Sequence, residues 1–285
     1  MIKIDENYLQ KIEDHKNIYN FFGKWIENPS ILKEKFINNK PFEHIVIPNF
    51  LNENVINNIE ENFPNHNEIE WYKYNNPLEV KNAFDKINEL PQSIRNIFYI
   101  LSTPNVISKI EELTGINYLE YDPYLHGAGI HTHPKGGKLA MHLDYEKHPI
   151  LINKERRLNI ILYLSKEWNP MWNGCTELWN KEMTKCVTKS NVIFNSALIF
   201  KTNELSWHGL PEEIKCPENV FRKSLAYYYV SPLISKPNKN KKGSQEDGYR
   251  KKASYALRPQ DDKNEKILKL IQIRNKRRLN SDDLI

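Results

Sequence analysis

NYLEYDPYL (117–125), GKLAMHLDY (137–145), RLNIILYLS (157–165), CTELWN (175–180), SNVIFNSALIFKT (190–202) and FRKSLAYYYVS (221–231) follow one another along the chain. Each is a short run, apolar or alternating, bounded by Gly, Pro, Asn or charged clusters. Runs of this length and spacing are the mark of an all-β sandwich or barrel. Residues 117–232 are therefore expected to form a β-rich core.

Upstream, 1–116 reads as a mostly helical support. Residues 1–40 are amphipathic, with Ile12, Ile18, Phe21, Phe22, Trp25 and Ile26 near a helical stripe. PFEHIVIPN (41–49) alternates like a strand. Asn52 to Phe63 predicts a helix with Val55, Ile56, Ile59 and Phe63 inward, stopped by Pro64. The segment 71–89 is mixed, with aromatics at Trp71, Tyr72 and Tyr74. Residues 90–115 predict two short helices, the second opened by Pro104 and capped by Gly115. Downstream, 233–285 is a basic polar loop, expected to be mobile, and then a helix over KNEKILKLIQIRNKRRLN (263–280).

The composition narrows the function classes. The chain has 285 residues, 39% hydrophobic and 11% aromatic, enough for one sizeable core. Its net charge of +5 is concentrated in the last fifty or so residues, so a nucleic-acid partner is not expected. Cys175, Cys186 and Cys216 are an odd set without short paired spacing, which argues against a disulfide framework or a zinc finger. No run is long enough to span a membrane, and the N-terminus has no apolar signal core. A cytoplasmic protein with no membrane partner is the expectation.

The chemistry rests on His142-Leu143-Asp144 and a distant His208. Alternate residues of a strand share a face, so His142 and Asp144 point the same way. A second histidine from another strand completes a triangular face of two imidazoles and one carboxylate. Such a face leaves coordination positions open for an organic co-substrate and dioxygen, as in non-haem iron oxygenases. A His-x-Asp alone is a weak signal, since satisfied polar side chains give the same pattern. Two features strengthen it. His208 lies in NELSWHGLPEE (203–213), directly after an apolar strand. Arg222 follows 14 residues later and opens the next strand, placed to clamp a carboxylate through paired hydrogen bonds. The alternative for Arg222 is a surface ion pair.

Taken together, MHLDY, RRLNIILYLSKEW, NGCTELW, NSALIFKT, SWHGLP and FRKSLAYYY resemble, in order, the 2-oxoglutarate/Fe(II) oxygenases of the prolyl 4-hydroxylase-like group. The resemblance implies a double-stranded β-helix, a jelly-roll or cupin-like barrel that is mainly β, with supporting N-terminal helices. It implies Fe(II) on His142, Asp144 and His208, with 2-oxoglutarate and O2 as co-substrates and stimulation by ascorbate. Arg222 then matches the partner of the far carboxylate of 2-oxoglutarate. Tyr163 matches a tyrosine bonding the same carboxylate, and Asn159 a polar position lining the co-substrate. For Tyr163 and Asn159 the alternative is packing within a buried strand. The usual Gly-Gly before the following strand is here Gly174-Cys175. In DPYLHGAGIHTHPKGGKLAMHLD (122–144), His131 is the candidate for a co-substrate contact, while His133 reads as a loop histidine bonded to backbone. At least one of Tyr227, Tyr228 and Tyr229 is expected to face the pocket, and Trp71, Tyr72, Tyr74, Trp179 and Trp207 wall a cleft or pack.

The implied activity is a dioxygenase hydroxylating an unactivated carbon, with succinate and carbon dioxide as co-products. The shared motifs leave the acceptor open between a peptidyl residue, such as proline, and a small molecule. The competing reading is a cupin-like small-molecule or sugar-binding or isomerase domain without redox chemistry, which needs no Arg222.

Overall fold

A computed structural model of the chain describes residues 4–15 and 18–284. The predicted stripe over 1–40 lies partly outside these residues, at 1–3 and 16–17. The remainder is not one helix. Helix α1 (Glu6–His15) is followed by three 3-10 turns and then α2 (Lys33–Asn38). Pro29 begins the last of those turns, where its missing N–H costs nothing but a continuing helix would lose a bond. Ile12, Phe22 and Ile26 are nevertheless buried, and Ile18, Phe21 and Trp25 are partly buried against the same core, although one continuous helix does not form.

Strand β1 (His44–Ile47) and helix α3 (Glu53–Glu61) lie where the alternation and the stripe predict them. Asn52 caps α3 by accepting from the Asn54 N–H. The mixed segment forms a hairpin, β2 (Tyr72–Asn76) and β3 (Glu79–Phe84), which the sequence did not reveal. Helices α4 (Gln92–Leu101) and α5 (Pro104–Thr114) follow, with Thr103 capping α5 at one end and Gly115 left-handed at the other.

The barrel strands are β4 (Glu120–Tyr121), β5 (Gly129–His133), β6 (Lys138–Leu143), β7 (Lys154–Tyr163), β8 (Thr176–Trp179), β9 (Cys186–Ser190), β10 (Ala197–Lys201), β11 (His208–Leu210) and β12 (Arg222–Pro232). They form two antiparallel layers, β10-β7-β12-β5 and β6-β11-β8-β9. This is a double-stranded β-helix, nearly closed. β1 extends one layer by pairing β10, and β3 bridges the layers by pairing both β5 and β6. The 1–116 region thus supplies strands to the sheet as well as helices.

Alternation sorts the side chains of β7. Leu158, Ile160 and Leu162 face out into a core shared with α4 and α5, together with Tyr227 and Tyr229 of β12. The phenol of Tyr229 donates to the Leu101 carbonyl and that of Tyr227 pairs with Ser102. Tyr163, Leu198, Phe200 and Leu210 belong to a second core inside the barrel. At about 25 cal/mol per Å2 of apolar surface, burial on both faces anchors these strands. The C-terminal part does not run free. Strand β13 (Ser254–Tyr255) pairs with β6, helix α6 (Glu265–Arg274) packs behind it, and Arg250 is only 1% exposed. The loop expected to be mobile is therefore pinned at its end by a buried charge.

Candidate metal centre

His142 and Asp144 stand at the end of β6 and just beyond it, and His208 opens β11 directly opposite, in register with His142. One donor atom from each falls within 4.8 Å of the others, and all three residues are buried. The Nε2 atoms of His142 and His208 each lie 3.9 Å from a carboxylate oxygen of Asp144. The other ring nitrogens are committed. His142 Nδ1–H donates to the Ala140 carbonyl at 3.0 Å and His208 Nδ1–H to the Ser206 carbonyl at 2.9 Å. A carbonyl only accepts, so both rings carry the proton on Nδ1 and turn a bare Nε2 lone pair toward Asp144. Burial, with His208 adding to it, lowers the His142 pKa to about 3, and burial also lowers that of His208. Burial opposes ionisation of Asp144, but Arg156, the two imidazoles and Asn159 outweigh it and hold the carboxyl at about 2. Two neutral imidazoles and one carboxylate on one side are a donor set for a divalent first-row metal.

Asp144 is held from several sides. Arg156 Nη1 lies 3.1 Å from Oδ1, and Asn159 Nδ2 donates to Oδ2 at 3.2 Å. The Arg156 guanidinium is sandwiched between the rings of Tyr145 at 3.7 Å and Tyr228 at 3.4 Å. Tyr228 is thus the pocket-facing member of the tyrosine triplet. Strict alternation would point Arg156 away from Asn159. A register shift between Tyr229 and Val230 leaves Arg157 without a partner residue on β12 and turns Arg156 inward. The sequence carried no signal for that bulge, so Arg156 escaped notice.

Arg222 sits at the start of β12, deep in the barrel and 3% exposed. Nε donates to the Gly174 carbonyl at 2.7 Å, and the terminal nitrogens reach Ser224 and Thr176 at 3.4 Å each. Gly174 adopts φ +91°, so a single glycine makes this turn, and an added Cβ would crowd the Arg222 side chain at 3.2 Å. Among the described residues no carboxylate pairs with Arg222, and burial lowers its pKa. Tyr163 lies beside it, ring 5.1 Å from the guanidinium, with its hydroxyl directed to Thr176 and Ser190. Asn159 and Tyr163 share one face of β7, as expected, but Asn159 bonds Asp144.

His131 and His133 line the same interior from β5, where His133 is opposite Arg222 and His131 opposite Ser224. The expected backbone bond of His133 is absent: the residue is 4% exposed and neither ring nitrogen has a partner. Its strand position, rather than a loop, is the reason. Of the aromatics that could wall a cleft or pack, Trp71, Trp179 and Trp207 pack. Trp179 Nε1 donates to Glu177 at 2.8 Å, Trp207 and Trp179 pack in a separate cluster, and Trp71 packs on Phe63 on the outer side.

Histidines outside the triad set a pH dependence. Burial lowers the pKa of His44, that of His126 to about 4, that of His131 to about 3, and that of His133 well down. An unfolded histidine titrates near 6.5. Below that, the unfolded chain takes up protons the folded chain refuses, so stability falls as pH falls. The melting temperature of the metal-free protein is expected to be level above about pH 7 and to drop steadily from pH 6.5 downward. A flat profile to pH 5 would contradict the burial of these rings.

Residues 128–230 match the family model described as the 2OG-Fe(II) oxygenase superfamily. A crystal structure of a prolyl-4-hydroxylase from Pseudomonas putida superposes with a TM-score of 0.53 at 12% identity, covering 73% of this chain and 100% of that one. A prolyl hydroxylase from Trichoplax adhaerens, in complex with a hypoxia inducible factor peptide fragment, gives 0.49 at 17% identity, covering 80% and 94%. HygX from Streptomyces hygroscopicus, with nickel, 2-oxoglutarate and hygromycin B bound, gives 0.45 at 11%, covering 67% and 83%. No curated protein sequence matches the chain. No helix among the described residues is long and apolar enough to cross a membrane.

Proposed function

We propose that this enzyme, whose residues 128–230 match the 2OG-Fe(II) oxygenase superfamily, hydroxylates an unactivated carbon of a peptidyl residue or small molecule. The observation that carries the reading is the pairing of two features on one inner surface. The triad offers three aligned donor atoms, and deeper in the barrel Arg222 is buried without a carboxylate. An isolated buried charge is costly, so the site suits a ligand that brings its own negative end. 2-Oxoglutarate has that end and a keto-acid end for a metal. An isomerase-type barrel gives no reason for such an arginine.

His142, Asp144 and His208 would hold Fe(II), and Arg222 would pair with the far carboxylate of 2-oxoglutarate, with Tyr163, Ser224 and Thr176 around it. When bound, iron and 2-oxoglutarate supply the oxidising chemistry: one oxygen atom of O2 goes to the acceptor carbon and the other to succinate, with loss of carbon dioxide. The chain's own contribution is positioning. The Nδ1–H bonds hold both imidazoles in the ligating tautomer, and Arg156 and Asn159 keep Asp144 ionised and fixed. The apolar lining of Phe200, Leu198 and Leu210 keeps bulk water from the interior.

The test is succinate formation from 2-oxoglutarate with Fe(II), ascorbate and air, over a panel of peptides and small molecules. Slow succinate formation without acceptor is expected, stimulated by the true acceptor and lost in His142→Ala. Anaerobic Fe(II) and 2-oxoglutarate should give a weak visible charge-transfer band. No band and no succinate from the wild type would refute the proposal.

A further inference from the structure

The matched domain ends at residue 230, yet two later side chains reach the candidate ligands. Arg250 Nε donates to the backbone carbonyl of Asp144 at 2.5 Å, and Nη2 to that of Asn203 at 3.4 Å. Five residues on, β13 pairs along the ligand strand, with Ser254 opposite Leu143 and Tyr255 opposite His142. The Ala256 N–H then donates to the Met141 carbonyl at 2.9 Å. This pairing lays the Tyr255 ring over the His142 imidazole, centroids 5.4 Å apart and planes 20° from parallel.

Tyr255 is itself fixed. It is 3% exposed, and its N–H donates to the Asn275 side chain at 2.6 Å. Its hydroxyl donates to Glu79 at 3.5 Å and receives a bond from Arg274 at 3.2 Å. Arg274 also bonds Glu79 at 3.1 Å, and Lys81 lies 3.6 Å from the same carboxylate. One buried cluster therefore joins the hairpin β2–β3, helix α6 and the ring of His142. An imidazole bonded through Nδ1 alone can still swing about that bond. A flat neighbour on one face and the His208 ring, 4.2 Å away, on another remove that freedom.

We propose that Tyr255 is a positioning residue for His142, and that the C-terminal segment 250–275 completes the metal centre by seating an imidazole that the barrel strands hold through one hydrogen bond. This rests on His142 being a metal ligand. The readout is therefore Co(II) binding to the metal-free protein, followed by calorimetry and by the visible absorption of the bound ion, with no turnover involved. Tyr255→Phe keeps the flat face and should bind within about threefold of wild type with the same spectrum. Tyr255→Leu fills the space without the face and should bind about 10- to 100-fold more weakly with an altered spectrum. If Tyr255→Leu does not fold, Tyr255→Met serves, its unbranched chain adapting to the same space. A folded Leu or Met variant with wild-type affinity and spectrum would overturn the proposal, since a purely packing role lowers melting temperature and leaves both unchanged. A wild type that binds no Co(II) would instead overturn the metal site itself.

Discussion

Asp144→Asn and His208→Gln are both expected to lose Fe(II)-dependent succinate formation, on the order of a thousandfold or more, but only the first should also weaken the fold. The difference lies in what each side chain holds besides metal. His208 gives one hydrogen bond to a backbone carbonyl, which is a small loss. Asp144 is the only carboxylate paired with Arg156 among the described ion pairs, and Arg156 is 4% exposed between two tyrosine rings. Asparagine keeps the shape and removes the charge, leaving a buried cation without its counterion. Breaking a buried pair in this way costs about 3–5 kcal/mol. The metal-free Asp144→Asn variant should therefore melt on the order of 10 °C below wild type, and His208→Gln close to it. Thermal melts of both, with and without Fe(II), give the comparison. Equal melting temperatures would mean that Arg156 does not depend on Asp144.

Arg222→Met is expected to move function and stability in opposite directions. Loss of a buried, charge-assisted pair costs about 2–5 kcal/mol, so half-saturation by 2-oxoglutarate should rise roughly 30- to several thousandfold. Without co-substrate the same change removes a desolvated cation held by a carbonyl, two hydroxyls and the Tyr163 ring, with no carboxylate among the described residues. Replacing a buried ionic group by an apolar one of similar size is often neutral or stabilising by about 1–4 kcal/mol. The variant should thus melt at or above the wild type when metal and 2-oxoglutarate are absent. An unchanged 2-oxoglutarate requirement would place the co-substrate elsewhere, and a sharp fall in melting temperature would give Arg222 a structural role.

The barrel was legible because each strand is buried on both faces or alternates cleanly, and turn residues mark every boundary. The clustering of His142, Asp144 and His208 was legible for the same reason, as a period of two fixes which residues share a face. Tyr228 could be expected to face inward only as one of three, until the pairing with Asn159 selected it. Where the period broke, the reading failed. The bulge at Arg157 inverted the face of Arg156, a single inserted residue that no propensity announces. The hairpin 72–84 hid because YKYNN and EVKNAF are polar strands, and the barrel partners of EVKNAF lie roughly 50 residues downstream. His133 reads as a loop residue because glycines flank it, but the strand continues through it. Arg250 and Tyr255 sit in a polar stretch whose composition looks solvated, and their burial comes from contacts with β6 about a hundred residues earlier.

The insertion of β3 between β5 and β6 also bears on how the chain assembles. The barrel cannot close on segments adjacent in sequence. β1 waits for β10, some 150 residues downstream, while the β5–β6 seam needs β3 and the end of β6 needs β13. High contact order of this kind slows folding, because loop-closure entropy is spent before the pairings repay it. During synthesis the end of β6 that β13 covers would stay open until residue 255 leaves the ribosome, a window in which a strand edge invites association with other chains. The polar composition of the hairpin, which concealed it from pattern reading, is also what lets it remain soluble while it waits.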